Sequence, residues 1–158
     1  MGVIFREEIK GTNMKLVYFA HPLSHYDTDF EYSCLEKINN ELPDYICSSI
    51  EIFNPNQKWL DRLYTKRKED EHGNPFSIFT EITSICDVCI GVTFNDGKIG
   101  SGVFKECETS FHKKKEVYLM VGKDLTIVDF THPNDYRKKL GIVLSIKETV
   151  DRIKKKEM

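Results

Sequence analysis

No apolar run in the chain approaches the ~18 residues that a membrane-spanning helix requires. Neither sign of charge dominates. The 23 Lys and Arg against 25 Asp and Glu leave a formal net charge of -2, which gives no global pull toward nucleic-acid polymer or an anionic membrane. Internal repeats and low-complexity tracts are missing, and no stretch reads as a secretory signal. Cys34, Cys47, Cys86, Cys89 and Cys107 are odd in number and widely spaced, so no disulfide framework is expected and a reduced, cytoplasmic compartment fits best. Cys86-Asp87-Val88-Cys89 has the C-x-x-C form, but no second ligand pair follows it, and both cysteines read as small core hydrophobes. The basic runs Lys113-Lys114-Lys115 and Lys154-Lys155-Lys156 sit at chain positions that favour solvated, dipole-complementing helix ends over a binding patch.

What is present is an ordinary globular composition. With 158 residues, 40 % hydrophobic and 30 % charged, the chain suffices for one domain with a real core. Residues 1–13 read as an extension ending in the breaker Gly11-Thr12-Asn13, with Met14 a second candidate start, and 14–158 as the domain. Apolar runs predict strands at Lys15–Ala20, Ser49–Phe53, Val88–Thr93 and Val117–Val121, with weaker candidates at Thr126–Phe130 and Ile142–Leu144. Thr28-Asp29-Phe30-Glu31 is a capping-box sequence opening a helix that is expected to stop before Pro43. Trp59, Leu60, Leu63 and Tyr64 give the next helix its stripe, with Trp59 as core or pocket wall. The polar stretch Lys66–Asn74 reads as a loop, and Pro75 starts a helix running to Cys86. A further helix spans Gly102 to Lys113, with Glu106 in its first turn, and Ser145-Ile146-Lys147-Glu148 caps a last short one. Alternation of strands and helices predicts a doubly wound, mostly parallel sheet of about five strands flanked by helices.

Open sheets of this kind bind ligands at the carboxyl ends of their strands. There the first strand delivers Tyr18-Phe19-Ala20-His21-Pro22-Leu23-Ser24, and the third delivers Asn95, Asp96, Gly100, Ser101, Gly102 and Glu106. Gly100 and Gly102 would let backbone approach a ligand, and free amides at a helix start favour an anion. A tight turn explains the same glycines equally well. Glu106 reads either as a dipole-favoured acid or as a nucleophile, and Asp96 as a turn residue or a sugar ligand. His21 is expected to line the pocket and His25 to be exposed; their spacing lacks the regularity of a metal site.

Tyr18-Phe19-Ala20-x-Pro22-Leu23, followed by Gly102-x-x-x-Glu106 and Lys115-x-Val117, resembles the nucleoside 2-deoxyribosyltransferase superfamily, which includes 2'-deoxynucleoside 5'-monophosphate N-glycosidases and hydroxymethyl-CMP hydrolases. Its signatures are Y-F-A-G-P-L and G-T-x-x-E-I-G, with G-K-P-V beyond; Cys86-Asp87 also looks like its alanine-aspartate pair before the third strand. The resemblance covers Lys15 to Val121, and only the two loop motifs are specific. It implies a flavodoxin- or Rossmann-like domain and a small-molecule nucleoside or nucleotide substrate. It also implies no metal or organic cofactor and association as a homodimer or larger homo-oligomer. By resemblance Glu106 is the nucleophile, Ser101 with the amides around Gly102 the phosphate or sugar anchor, and Tyr18, Ala20, His21, Pro22, Ser24, Asp96 and Gly100 the remaining substrate-binding set. The chain departs from the pattern at three points. Gly100, not Asp or Ser, lies six residues before Glu106; Phe79 stands where a second Asp is usual, with Glu81 the nearest acid; and His21 replaces a small residue. Three functions therefore stand as expectations. The first is N-glycosidic bond cleavage with release or exchange of the base; the second a non-catalytic nucleotide-binding or sensing module; the third an NAD-type glycohydrolase.

Overall fold

The computed structural model describes residues 14–69 and 77–158. The expected extension, the loop segment 70–74 and the helix start at Pro75 lie outside them. In chain order the elements are β1 (Lys15–Ala20), a 3-10 turn (Leu23–His25), α1 (Asp29–Ile46), β2 (Ile50–Phe53), α2 (Lys58–Glu69), α3 (Ser77–Ile85), β3 (Val88–Val92), α4 (Ser101–His112), β4 (Glu116–Val121), β5 (Thr126–Asp129), α5 (Pro133–Arg137) and α6 (Ile146–Lys154). The expected α/β architecture is present: one five-stranded sheet in the order β2-β1-β3-β4-β5, parallel except for the β4–β5 pair. Among the described residues no helix is long and apolar enough to cross a membrane.

The central strands are apolar throughout because both of their faces are covered. Val17 and Phe19 of β1 face α1, packing with Cys34, Ile38, Leu42 and Ile46. Leu16, Tyr18 and Ala20 face the other way, toward Val103, Phe104 and Cys107 of α4. Cys86 and Cys89 are buried core residues, and none of the five cysteines forms a disulfide. Asp87 fastens the first two central strands: its carboxylate accepts from the Leu16 amide at 2.9 Å, and its own amide donates to the Leu16 carbonyl at 2.8 Å.

Four elements differ from expectation. First, α1 runs through Pro43 to Ile46 instead of stopping before the proline. A proline inside a helix costs roughly 3 kcal/mol, and the continuation beyond it buries Ile46, which offsets about 1.5–3 kcal/mol of that cost. Second, α2 includes Lys66–Glu69, where a loop was expected, as a polar end to an amphipathic helix. Third, Ile142–Leu144 forms only an isolated bridge, Val143 to Ile99, because these residues meet one short loop segment and no strand. Fourth, α5 was not anticipated; it is a single turn and too short for periodicity to register.

Candidate active site at the β1–β3 crevice

Between β1 and β3 the chain reverses its direction of winding. From β1 it passes through α1 to β2 on one side, and from β3 through α4 to β4 on the other. The connections diverge and leave a crevice at the carboxyl ends of these two strands. One lip is His21, Pro22 and the 3-10 turn. The other is the loop from Phe94 to Gly100 and the start of α4. Within the strands Ala20 pairs with Gly91, and Pro22 begins the 3-10 turn by accepting the His25 amide at 3.0 Å.

Glu106 is carried into this crevice by the close approach of α4 to β3. A Cβ on Gly91 would lie 2.6 Å from Cys107 Sγ and 3.0 Å from Val103 Cγ1. Only glycine leaves room for the helix at that separation, and Cys107 is the residue after Glu106. The helix begins at Ser101, so Glu106 lies in its second turn and not the first. That placement takes it out of reach of a simple dipole-capping role. Glu106 is partly exposed as a residue, yet its Oε2 is enclosed and has no hydrogen-bond partner, and the same is true of the fully buried Tyr18 hydroxyl. Burial pushes the Glu106 carboxyl up to about 7, and the nearby Tyr18 hydroxyl pulls in the opposite direction without reaching full hydrogen-bond geometry. Tyr18 itself is raised well above the usual phenol range, by burial first and then by the adjacent Glu106 charge. Tyr26 is raised by burial and by the charges of Glu106, Glu31 and Asp61, which places it among these carboxylates.

A second polar cluster adjoins the first. His21 is buried and stacked on Phe19, with ring centroids 3.9 Å apart. Its Nε2 lies 2.6 Å from Glu31 Oε2 and its Nδ1 3.1 Å from the Phe19 carbonyl. Both ring nitrogens thus face oxygen atoms, one of a carboxylate and one of a backbone carbonyl. Glu31 also accepts from Asn56 Nδ2 at 3.1 and 3.2 Å and from the Asp27 amide at 3.3 Å. Burial opposes ionisation of Glu31, but these donors outweigh it and hold its carboxyl below the ordinary range. Thr28 caps α1 as expected, accepting from the Glu31 amide, whereas the Glu31 carboxylate turns away from the cap toward His21. His21 therefore sits in a structural network at the crevice lip.

The remaining anticipated residues are drawn together by the end of the chain. Ser24 Oγ donates to the Glu157 carbonyl at 2.6 Å. The Ser101 amide donates to Thr149 Oγ1 at 2.9 Å, and a Cβ on Gly100 would lie 3.3 Å from Thr149 Cγ2. Asp96 forms a turn, accepting from the Lys98 amide, and pairs through both oxygens with Arg152 at 3.1 and 2.7 Å. Gly102 is exposed, with nothing within 4 Å of where a Cβ would stand. Glu81 is solvated on α3.

His25 corrects its expectation. It is fully buried, edge-on to Phe30 and Phe94, with neither ring nitrogen hydrogen-bonded, and burial pushes its pKa down to about 4. A three-residue turn has no periodicity from which that orientation could be read.

A pocket of about 450 Å³ opens beside the second cluster, lined by Asp27, Asn56, Gln57, Lys58, Trp59 and Arg62. Trp59 is thus an exposed pocket wall, linked to Tyr18 through Phe53 by ring contacts of 6.4 and 6.0 Å. Another hollow, of about 340 Å³ and lined by Leu35, Asn39, Ile50, Glu51, Ile52 and Asn54, contains none of the crevice carboxylates. Among the described residues no group of three or more His, Cys, Asp or Glu is placed to hold a metal ion.

Sequence reasoning did not single out Tyr26, Asn56, Thr149 or Arg152. Thr149 and Arg152 were legible only as polar positions of the short helix that Ser145 caps. Comparison with protein-family models, with curated proteins and with solved structures finds no match to this chain.

Proposed function

We propose that the chain cleaves the N-glycosidic bond of a nucleoside or nucleoside 5'-monophosphate, with Glu106 as nucleophile. The observation that carries this reading is the enclosed, unpartnered Glu106 Oε2 beside the unpartnered Tyr18 hydroxyl at the β1–β3 crevice. A carboxylate oxygen enclosed without a donor is poorly stabilised, and so gains from bonding to a carbon that is becoming cationic. Departure of the base builds that charge on the anomeric carbon and the ring oxygen. Oε2 attacks the anomeric carbon, the C–N bond electrons leave with the base, and a glycosyl ester forms on Glu106. Water then attacks the same carbon and releases the free sugar, or a second base does so in an exchange. The shift to about 7 keeps a substantial fraction ionised at neutral pH, while proximity to Tyr18 favours the ionised form. The loop-motif resemblance to nucleoside 2-deoxyribosyltransferases supports the same assignment.

The test is release of free base from a panel of nucleosides and 5'-monophosphates, resolved by chromatography, with wild type and Glu106→Ala. Release that disappears in Glu106→Ala supports the reading. Equal release from both proteins overturns it, as does silence from wild type with and without an acceptor base.

A non-catalytic nucleotide sensor is the second reading. It is favoured by one feature, the occupation of the Ser101 amide and of Asp96 by the chain's own Thr149 and Arg152. Saturable nucleotide binding without base release, under either condition, selects it.

A further inference from the structure

The segment from Ile146 to Met158 crosses the mouth of the crevice and bonds to both lips. On the β1 side Ser24 Oγ donates to the Glu157 carbonyl. On the β3 side the Asn95 amide donates to the Met158 carbonyl at 2.8 Å, Arg152 clasps Asp96, and its guanidinium lies 5.0 Å above the Phe94 ring. Arg152 also reaches Glu157 at 3.6 Å, which ties helix and tail together. Thr149 Oγ1 occupies the Ser101 amide at the start of α4.

The segment is attached mainly by polar contacts. Of the α6 residues only Thr149 is buried, while Ile146 is 76 % exposed and Val150 40 %. An element with so little apolar burial belongs to the low-stability end of a fold. Its polar contacts can be exchanged for ligand contacts at modest cost. A phosphate would compete with Thr149 Oγ1 for the Ser101 amide, because an amide at a helix start favours an anion, and with Asp96 for the Arg152 guanidinium.

Building on the nucleotide reading above, we propose that Ile146–Met158 is an autoinhibitory strap over the crevice. A nucleoside 5'-phosphate displaces it by taking the Ser101 amide from Thr149 and lifting Arg152 off Asp96. An uncharged nucleoside can offer the amide a hydroxyl oxygen but carries no anion to draw Arg152 from Asp96. The strap thereby sets a preference for phosphorylated ligands, and apparent affinity is reduced by the fraction of molecules in which the strap is closed.

Hydrogen exchange of the full-length wild type, with deoxyadenosine or its 5'-monophosphate added, tests the proposal without any variant. The monophosphate is expected to speed amide exchange in 146–158 and deoxyadenosine to leave it unchanged. Titration calorimetry then compares wild type with Arg152→Gln and Thr149→Val, two variants that release different contacts. Each is expected to bind the monophosphate about tenfold more tightly, the gain from raising an open fraction of about a tenth toward one. Slower exchange, weaker binding by the variants, unchanged affinity or no binding by any protein overturns the strap. Base release is read separately on the same samples. Strap displacement without bond cleavage overturns the glycosidase and leaves the strap standing, whereas cleavage without displacement does the reverse.

Discussion

Glu31 and Glu106 are two carboxylates at one edge of one sheet, and their surroundings assign them opposite roles. Glu31 accepts from His21, Asn56 and the Asp27 amide, and those donors hold it ionised. Glu106 Oε2 has no donor, and burial drives its carboxyl toward neutrality. A buried polar group that is fully satisfied stabilises the structure around it, while one left unsatisfied carries a free-energy cost that a ligand or reaction can recover. Position at the strand ends therefore does not distinguish the two residues; their donors do.

Breaking the satisfied side should cost the most stability. Glu31→Ala removes the partner of His21 Nε2, Asn56 Nδ2 and the Asp27 amide together, and unfolding in urea should show a loss of about 3–5 kcal/mol, at about 1–3 kcal/mol for each buried group left unsatisfied. A loss near zero would mean that the His21–Glu31 contact is dispensable.

The pH dependence of stability sharpens the contrast with a third buried group. His25 has a folded pKa of about 4 against 6.5, so the unfolded chain takes up a proton first and stability is lost as pH falls from 6.5 to 4, by about 3 kcal/mol. Glu106 has the opposite sign. Its folded pKa of about 7 against 4.5 means that stability is full below 4.5 and falls as pH rises to 7. Between these limits the two slopes oppose each other. Glu31, held low, loses its contribution only below 4.5. Thermal melts from pH 4 to 8 should accordingly show a shallow profile in wild type and a fall toward acid in Glu106→Gln. His25→Phe should instead fall toward neutral pH. Parallel profiles for all three proteins would contradict the assignment of these groups.

Gly91→Ala tests what brings Glu106 into the crevice. The added methyl meets Cys107 Sγ and Val103 in a close-packed layer, and overpacking of this kind costs about 1–3 kcal/mol. Any displaced α4 carries Glu106 with it, so base release should fall more steeply than stability. The smallest effect belongs to Tyr18→Phe. Loss of the hydroxyl that favours the ionised form should move the acid-side inflection of kcat/KM upward from about 7, by up to about one unit. An inflection that stays in place would remove Tyr18 from the account.

The sheet was largely legible in the sequence because β1, β3 and β4 are buried on both faces and so read as unbroken apolar runs. Glu106 and Tyr18 were legible through motif and position at strand ends. The determinants of their environment were not. Gly91 looks like one more residue of an apolar strand until α4 is seen against it. Thr28-x-x-Glu31 reads as a capping box whether its glutamate turns to the cap or to His21. The strap joins residues as distant as Ser24 and Glu157, a contact to which no local pattern points. Pro43 misled because local propensity was outweighed by burial of Ile46 one turn beyond it.

The most direct measurement is intact-protein and peptide mass spectrometry after rapid mixing with a nucleoside or 5'-monophosphate that supports base release, followed by an acid quench. The account predicts an added glycosyl or glycosyl-phosphate mass on the peptide that contains Glu106, absent from Glu106→Gln. Base release by a Glu106→Gln protein at the wild-type rate, with no adduct on either protein, would contradict it.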